Sequence, residues 1–108
     1  QKLIVAYKLW HGYLSHFDKL TRYSIGSSID SVFIETIRNI YIASRKTRDR
    51  KEIYLIKASD ELDMLKFFLQ VAWEIKALDD KKYIALSGHL TEIGRMLGGW
   101  LKQTHAPR

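Results

Sequence analysis

YIALSGHLTEIGRMLGGWLK, from Tyr83 to Lys102, is the stretch on which the fold turns. Tyr83, Leu86, Leu90, Ile93, Leu97 and Trp100 recur at spacings of 3, 4, 3, 4 and 3. That rhythm puts six large apolar groups on one stripe of a helix, the seam of a bundle. A second stripe of small residues runs beside it: Ser87, Thr91, Gly94 and Gly98. An interior glycine costs a helix about 1 kcal/mol relative to alanine. Keeping Gly94, Gly98 and Gly99 therefore points to something pressed close to this backbone. Two readings stand open, a tight crossing inside the bundle or a subunit interface.

The same seam spacing appears upstream. Leu3, Tyr7, Trp10, Leu14 and Phe17 predict a first helix over residues 2–17. Residues 18–23 read as a polar link, with Thr21 and Ser24 as N-cap candidates. Ile25, Ile29, Val32, Thr36, Ile40 and Ala43 predict a second helix over 24–45, broadened by Phe33 and Ile37. Its isoleucines could suit a strand, but strict alternation is absent and the segment is too long. Asp49 and Glu52 have capping-box spacing, so the third helix is expected from about Arg50 to Leu78. Its seam is Leu55, Ala58, Leu62, Leu65, Leu69 and Ala72, widened by Phe68 and Ile75. Asp79 and Asp80 supply the negative charge favoured where the fourth helix starts. Four amphipathic helices on short links predict an all-α, antiparallel up-down-up-down four-helix bundle. Residues 1–108 form one domain, and Gln103 to Arg108 are expected to fray as a flexible tail.

Composition narrows the chemistry. The one proline is Pro107 and there is no cysteine, which excludes a disulfide framework, a thiolate metal site and a cysteine nucleophile. No run approaches the roughly 20 apolar residues that span a bilayer, and no secretory hydrophobic stretch occurs. No membrane association is expected, and the compartment expected is the cytoplasm. A di-iron bundle needs Glu-x-x-His pairs; Glu35, Glu52, Glu61, Glu74 and Glu92 are followed instead by Arg38, Leu55, Met64, Ala77 and Arg95. His89 and Glu92 share a face, but one pair is not a metal site. HEPN-class helical nucleases place a histidine four to six residues after an arginine, and none of the 4 histidines here is so placed. Neither an enzyme nor a cofactor is expected.

Charge carries more information. The chain has a formal charge of +6 and a pI near 9.6. The link Arg45-Lys46-Thr47-Arg48-Asp49-Arg50-Lys51 is its densest run. In an up-down bundle this link lies at the same end as Lys2, Lys102 and Arg108. Arg45, Lys46, Arg48, Arg50, Lys51 and Lys102 are therefore the candidate phosphate-binding residues. A solvated charged loop is the alternative for such a run. The aromatics lie on the seams, so no stacking platform for bases is evident.

Three stretches carry a resemblance. Ile93-Gly94-Arg95-Met96-Leu97-Gly98-Gly99-Trp100-Leu101-Lys102 resembles the signature of the four-helix-bundle family of the accessory variability determinant (Avd) of diversity-generating retroelements. That family also holds proteins encoded in intervening sequences of 23S ribosomal RNA genes. Arg22-Tyr23-Ser24-Ile25-Gly26 resembles its start of helix two. Leu62 to Lys66, continuing through Ala72-Trp73-Glu74-Ile75, resembles its third helix. The resemblance implies a homopentamer with a positively charged surface that binds RNA or DNA without catalysis. In the retroelement branch it also implies a reverse transcriptase as partner. A bundle of structural or protein-interaction role, as in the ribosomal-RNA branch, is the alternative.

Overall fold

Local chemistry sets each helix end. In the computed structural model, which describes residues 2–105, the elements are α1 (Lys2–Leu14), α2 (Lys19–Thr21), a π-helical turn (Arg22–Gly26), α3 (Ser27–Ser44), α4 (Arg48–Glu74) and α5 (Asp80–His105). No strand occurs among the described residues. The α2 segment, the π turn and α3 follow without a break, so the elements make four helical rods in one compact domain.

The first helix is shorter than its seam suggested. It stops at Leu14, and Ser15 folds back to donate its Oγ–H to the Gly12 carbonyl at 2.7 Å. Phe17 lies beyond the helix yet is buried, edge-on to Trp10 with ring centroids 5.6 Å apart. The second rod starts at Lys19, well before Ser24. Asp18 caps it: its Oδ1 accepts the Thr21 N–H at 2.8 Å, and that bond holds the Asp18 carboxyl below its usual range. Thr21 and Ser24, the expected caps, lie inside the rod, and Ser24 Oγ donates to the Leu20 carbonyl at 2.9 Å.

The segment Arg22-Tyr23-Ser24-Ile25-Gly26 is the π turn itself. A Cβ at Gly26 would come within 2.8 Å of Leu14 Cδ1 and 3.1 Å of the Thr21 carbonyl, so the turn packs against α1 only with glycine there. Arg22 Nη2 donates to the carbonyls of Ser15 at 3.3 Å and Phe17 at 3.1 Å, tying down the link that precedes it.

The capping box expected at Asp49 and Glu52 does not start α4. Thr47 is the N-cap, with no side-chain bond of its own, and Asp49 already sits in the first turn. At the other end Lys76 adopts φ 68°. Its N–H reaches the Trp73 carbonyl at 3.0 Å and the Ala77 N–H reaches Ala72 at 2.8 Å, the bond pair of a Schellman motif. This stops α4 at Glu74 and leaves Ile75, expected on the core face, 55% exposed. Asp79 then caps α5, its Oδ1 accepting the Lys82 N–H at 2.8 Å.

The α4 seam is buried as its spacing requires: Leu55, Ala58, Leu62, Leu65, Leu69 and Ala72. It packs against α3 on one side and α5 on the other, while α1 lies on α5 and α3. On α5, Leu86, Leu90, Ile93 and Leu97 are buried, but Tyr83 and Trp100 at the ends of the seam are half-buried. Gln103 to His105 continue α5, so the tail expected from Gln103 is helical that far. Residues 106–108 of that expected tail lie outside the described residues.

Polar contacts fix the rods in register. Asn39 Nδ2 donates to Glu61 Oε1 at 2.8 Å between α3 and α4. Tyr7 Oη donates to Asp30 Oδ1 at 2.8 Å, and Trp10 Nε1 donates to the same oxygen at 3.2 Å, joining α1 to α3. Burial, then the bond to Asp30 and its charge, push the Tyr7 phenol from 10.0 up to about 12.

Two outcomes follow from this geometry. Glycine occupies the left-handed region without the penalty of roughly 1–2 kcal/mol met by other residues. Lys76→Gly should therefore raise the thermal midpoint; an unchanged or lower midpoint would contradict the strain at this C-cap. In an absorbance titration Tyr7 should ionise only as pH approaches about 12. Its raised pKa favours the fold below pH 10.0, and that contribution is lost as pH rises towards about 12. Stability should fall across that window more steeply than in Tyr7→Phe; equal slopes would contradict the assignment.

Candidate nucleic-acid interface

Helix ends place the basic residues. Arg45 and Lys46 form the link after α3, and Arg48, Arg50 and Lys51 occupy the first turns of α4. Arg48 and Lys51, three residues apart, share one side of the helix. They line a cavity of about 440 Å³ with Ile40, Leu55, Trp100 and Gln103. The end of α5 thus reaches the same end of the molecule as the basic link. Lys102, exposed on the next turn, belongs to that end. All six residues that the charge pattern singles out therefore collect there.

Of two further cations expected at this end, one is placed elsewhere and the other is not described. Lys2 bonds to Glu92, in the middle of α5, and so lies short of the basic end. The bond to Lys2 and its charge hold the Glu92 carboxyl below its usual range. Arg108 lies outside the described residues. Conversely, the charge pattern alone does not single out Lys57. Its Nζ lies 5.5 Å from the Tyr54 ring centroid and Lys46 Nζ lies 6.0 Å from the same ring. Both are cation–π distances. The signal for Lys57 is its three-residue spacing from Tyr54, which puts it on the same face one turn further along α4.

Most charges at the opposite end are used internally. Asp18 and Asp79 cap helices, Asp80 Oδ1 accepts the Trp73 indole N–H at 2.7 Å, and Arg22 holds two carbonyls. Lys82 Nζ sits 5.5 Å from the Tyr13 ring centroid. The protein is 50 Å long and 22 by 20 Å across. Its ends are thus several Debye lengths apart, since that length is about 8 Å at physiological salt. The basic end therefore acts as a field of its own.

The small-residue stripe divides between two environments. A Cβ on Gly94 would meet Leu62 Cδ2 at 3.3 Å and Lys66 Nζ at 3.4 Å, so Gly94 lies at the α4–α5 contact. Ser87 is half-buried. Thr91 and Gly98 face outwards, and nothing lies within 4 Å of a Cβ built on Gly98. On α4, Ile53, Ile56, Met64 and Phe67 form an exposed apolar stripe away from the core seam. Asp60 and Asp63 interrupt that second stripe and mask it in the sequence.

No group of three or more His, Asp or Glu side chains that could hold a metal ion occurs among the described residues. Among those residues no helix is long and apolar enough to cross a membrane. The fold and its charge distribution define a small helical bundle with one strongly basic end. The sequence profile of the bAvd-like family matches residues 1–104, and the chain belongs to that family. No curated protein and no solved structure matched the chain.

The two glycines make opposite demands. Gly94→Leu should lower the thermal midpoint of the isolated chain, because Leu62 and Lys66 occupy the space. Gly98→Leu should leave the isolated fold intact. Equal destabilisation by both would contradict the division of the stripe.

Proposed function

We propose that this protein is a non-enzymatic, nucleic-acid-binding accessory subunit of a diversity-generating retroelement, working beside a reverse transcriptase. The observation that carries the reading is the basic end, where Arg45, Lys46, Arg50, Lys57 and Lys102 gather on a chain of the bAvd-like family. Phosphate oxygens need cations and no particular base, so this surface binds RNA or DNA with little sequence preference. Membership in the bAvd-like family supports the retroelement branch over the ribosomal-RNA branch. The site of action is the cytoplasm.

The rods run antiparallel, up-down-up-down. The Lys82–Tyr13 approach and the Lys2–Glu92 pair support opposite directions for α1 and α5. The copies assemble as a homo-oligomer, a pentamer by family resemblance. The exposed stripe of Ile53, Ile56, Met64 and Phe67 and the open outer face of Thr91 and Gly98 support such contacts. A ring would repeat the basic end around its axis and raise the local phosphate affinity further.

The test is RNA binding as a function of salt. The log–log slope should flatten by about 0.7 for each phosphate of a single strand that is no longer neutralised. Replacing Arg45, Lys46 and Arg50 together by alanine should weaken binding and flatten the slope by about 2, with helicity unchanged. Binding as tight as the parent's at every salt concentration would remove this end as the interface. Mass in solution checks the assembly: a pentamer is expected, and a stable monomer at micromolar concentration would refute it.

A further inference from the structure

The cavity at the basic end has a composition that phosphate binding alone does not require. Its walls are apolar where Ile40, Leu55 and Trp100 meet, and its polar groups include Arg48, Lys51 and Gln103. Trp100 is only half-buried although it continues the core seam of α5. Lys2 stands beside Glu92, so the described part of α1 does not cover the last turns of α5. A half-open indole, two cations three residues apart and a side-chain amide thus converge on about 440 Å³, within the range of small-molecule sites.

We propose that this cavity takes one nucleotide unit of a bound single strand. The base enters against the Trp100 ring, and its phosphate is held by Arg48 and Lys51. Gln103, which carries both a donor and an acceptor, faces the polar edge of the base. An indole supplies a stacking surface for any base, and the apolar wall of Ile40 and Leu55 lies beside it. The complementarity is that of a nucleotide: an apolar aromatic body with an anionic end. A fatty or purely aliphatic ligand would bring no anion to the two cations, and inorganic phosphate would leave the apolar walls unused. The inference deepens the phosphate-binding reading and rests on it, since the strand must first be drawn to this end.

The experiment compares an oligouridylate with an abasic strand of the same length, at one salt concentration. Contacts to phosphate alone treat both equally. A stacked base should make the oligouridylate bind about fivefold more tightly or better. Trp100→Leu should bring the ratio to one, and Trp100→Phe should preserve most of the preference. Because Trp100 also touches the core, Ser44→Leu is the second variant. Ser44 is exposed on the cavity wall, so an aliphatic side chain there fills the space without disturbing the seam. It too should abolish the preference. Salt-sensitive binding of both strands with a ratio of one in the parent would overturn the pocket and leave the phosphate surface standing. Binding of neither strand would overturn both. If uridine monophosphate quenched Trp100 while the strands bound equally, the cavity would be a free-nucleotide site and the strand assignment would fall.

Discussion

Every other feature depends on the burial of one stripe on α4. Leu55, Ala58, Leu62, Leu65, Leu69 and Ala72 are at most 2% exposed and run most of the helix's length between α3 and α5. Each leucine so buried contributes about 1.5–3 kcal/mol, less the entropy of ordering it. The alanines at 58 and 72 let neighbouring rods approach. Because α4 sits between two partners, its ends fix where the links must lie. The basic link before it and the end of α5 are thereby brought together, and the Schellman turn after it delivers Asp79 to cap α5.

Charge then follows from where helices stop and not from total composition. Lys2, Arg22 and Lys82 are each committed to a neighbour: Glu92, two carbonyls and the Tyr13 ring. At the basic end, α4's first turns and α5's last turns gather cations around an apolar hollow. Electrostatic attraction and a stacking surface are then available within one site, and a strand held by its phosphates can also bury a base.

Much of the fold is legible in the sequence because long seams have a period that only a helix satisfies. Every position of the α4 seam is buried as its spacing predicts, and four of the six positions on the α5 seam are fully buried. The ends are less legible. Caps depend on backbone angles that residue type does not fix, so Asp18 displaces Thr21 and Ser24, and Thr47 displaces Asp49. The π turn at Arg22–Gly26 is visible only as a motif; its physical reason, the closeness of Leu14 to Gly26, is a tertiary contact. Trp100 has seam spacing but is half-buried, because it lines the cavity between α3, α4 and α5, which no local pattern encodes. The basic cluster is legible as a charge run. The cavity is not, since it needs the packing of three helices.

The most direct test of the account is cross-linking of the protein to single-stranded RNA, followed by mass spectrometry of the linked peptides. Cross-links at Lys46, Lys51, Lys57 and Lys102, together with the peptide containing Trp100, are the predicted result. Cross-links concentrated at Lys19, Lys81 and Lys82, on the opposite end, would contradict it.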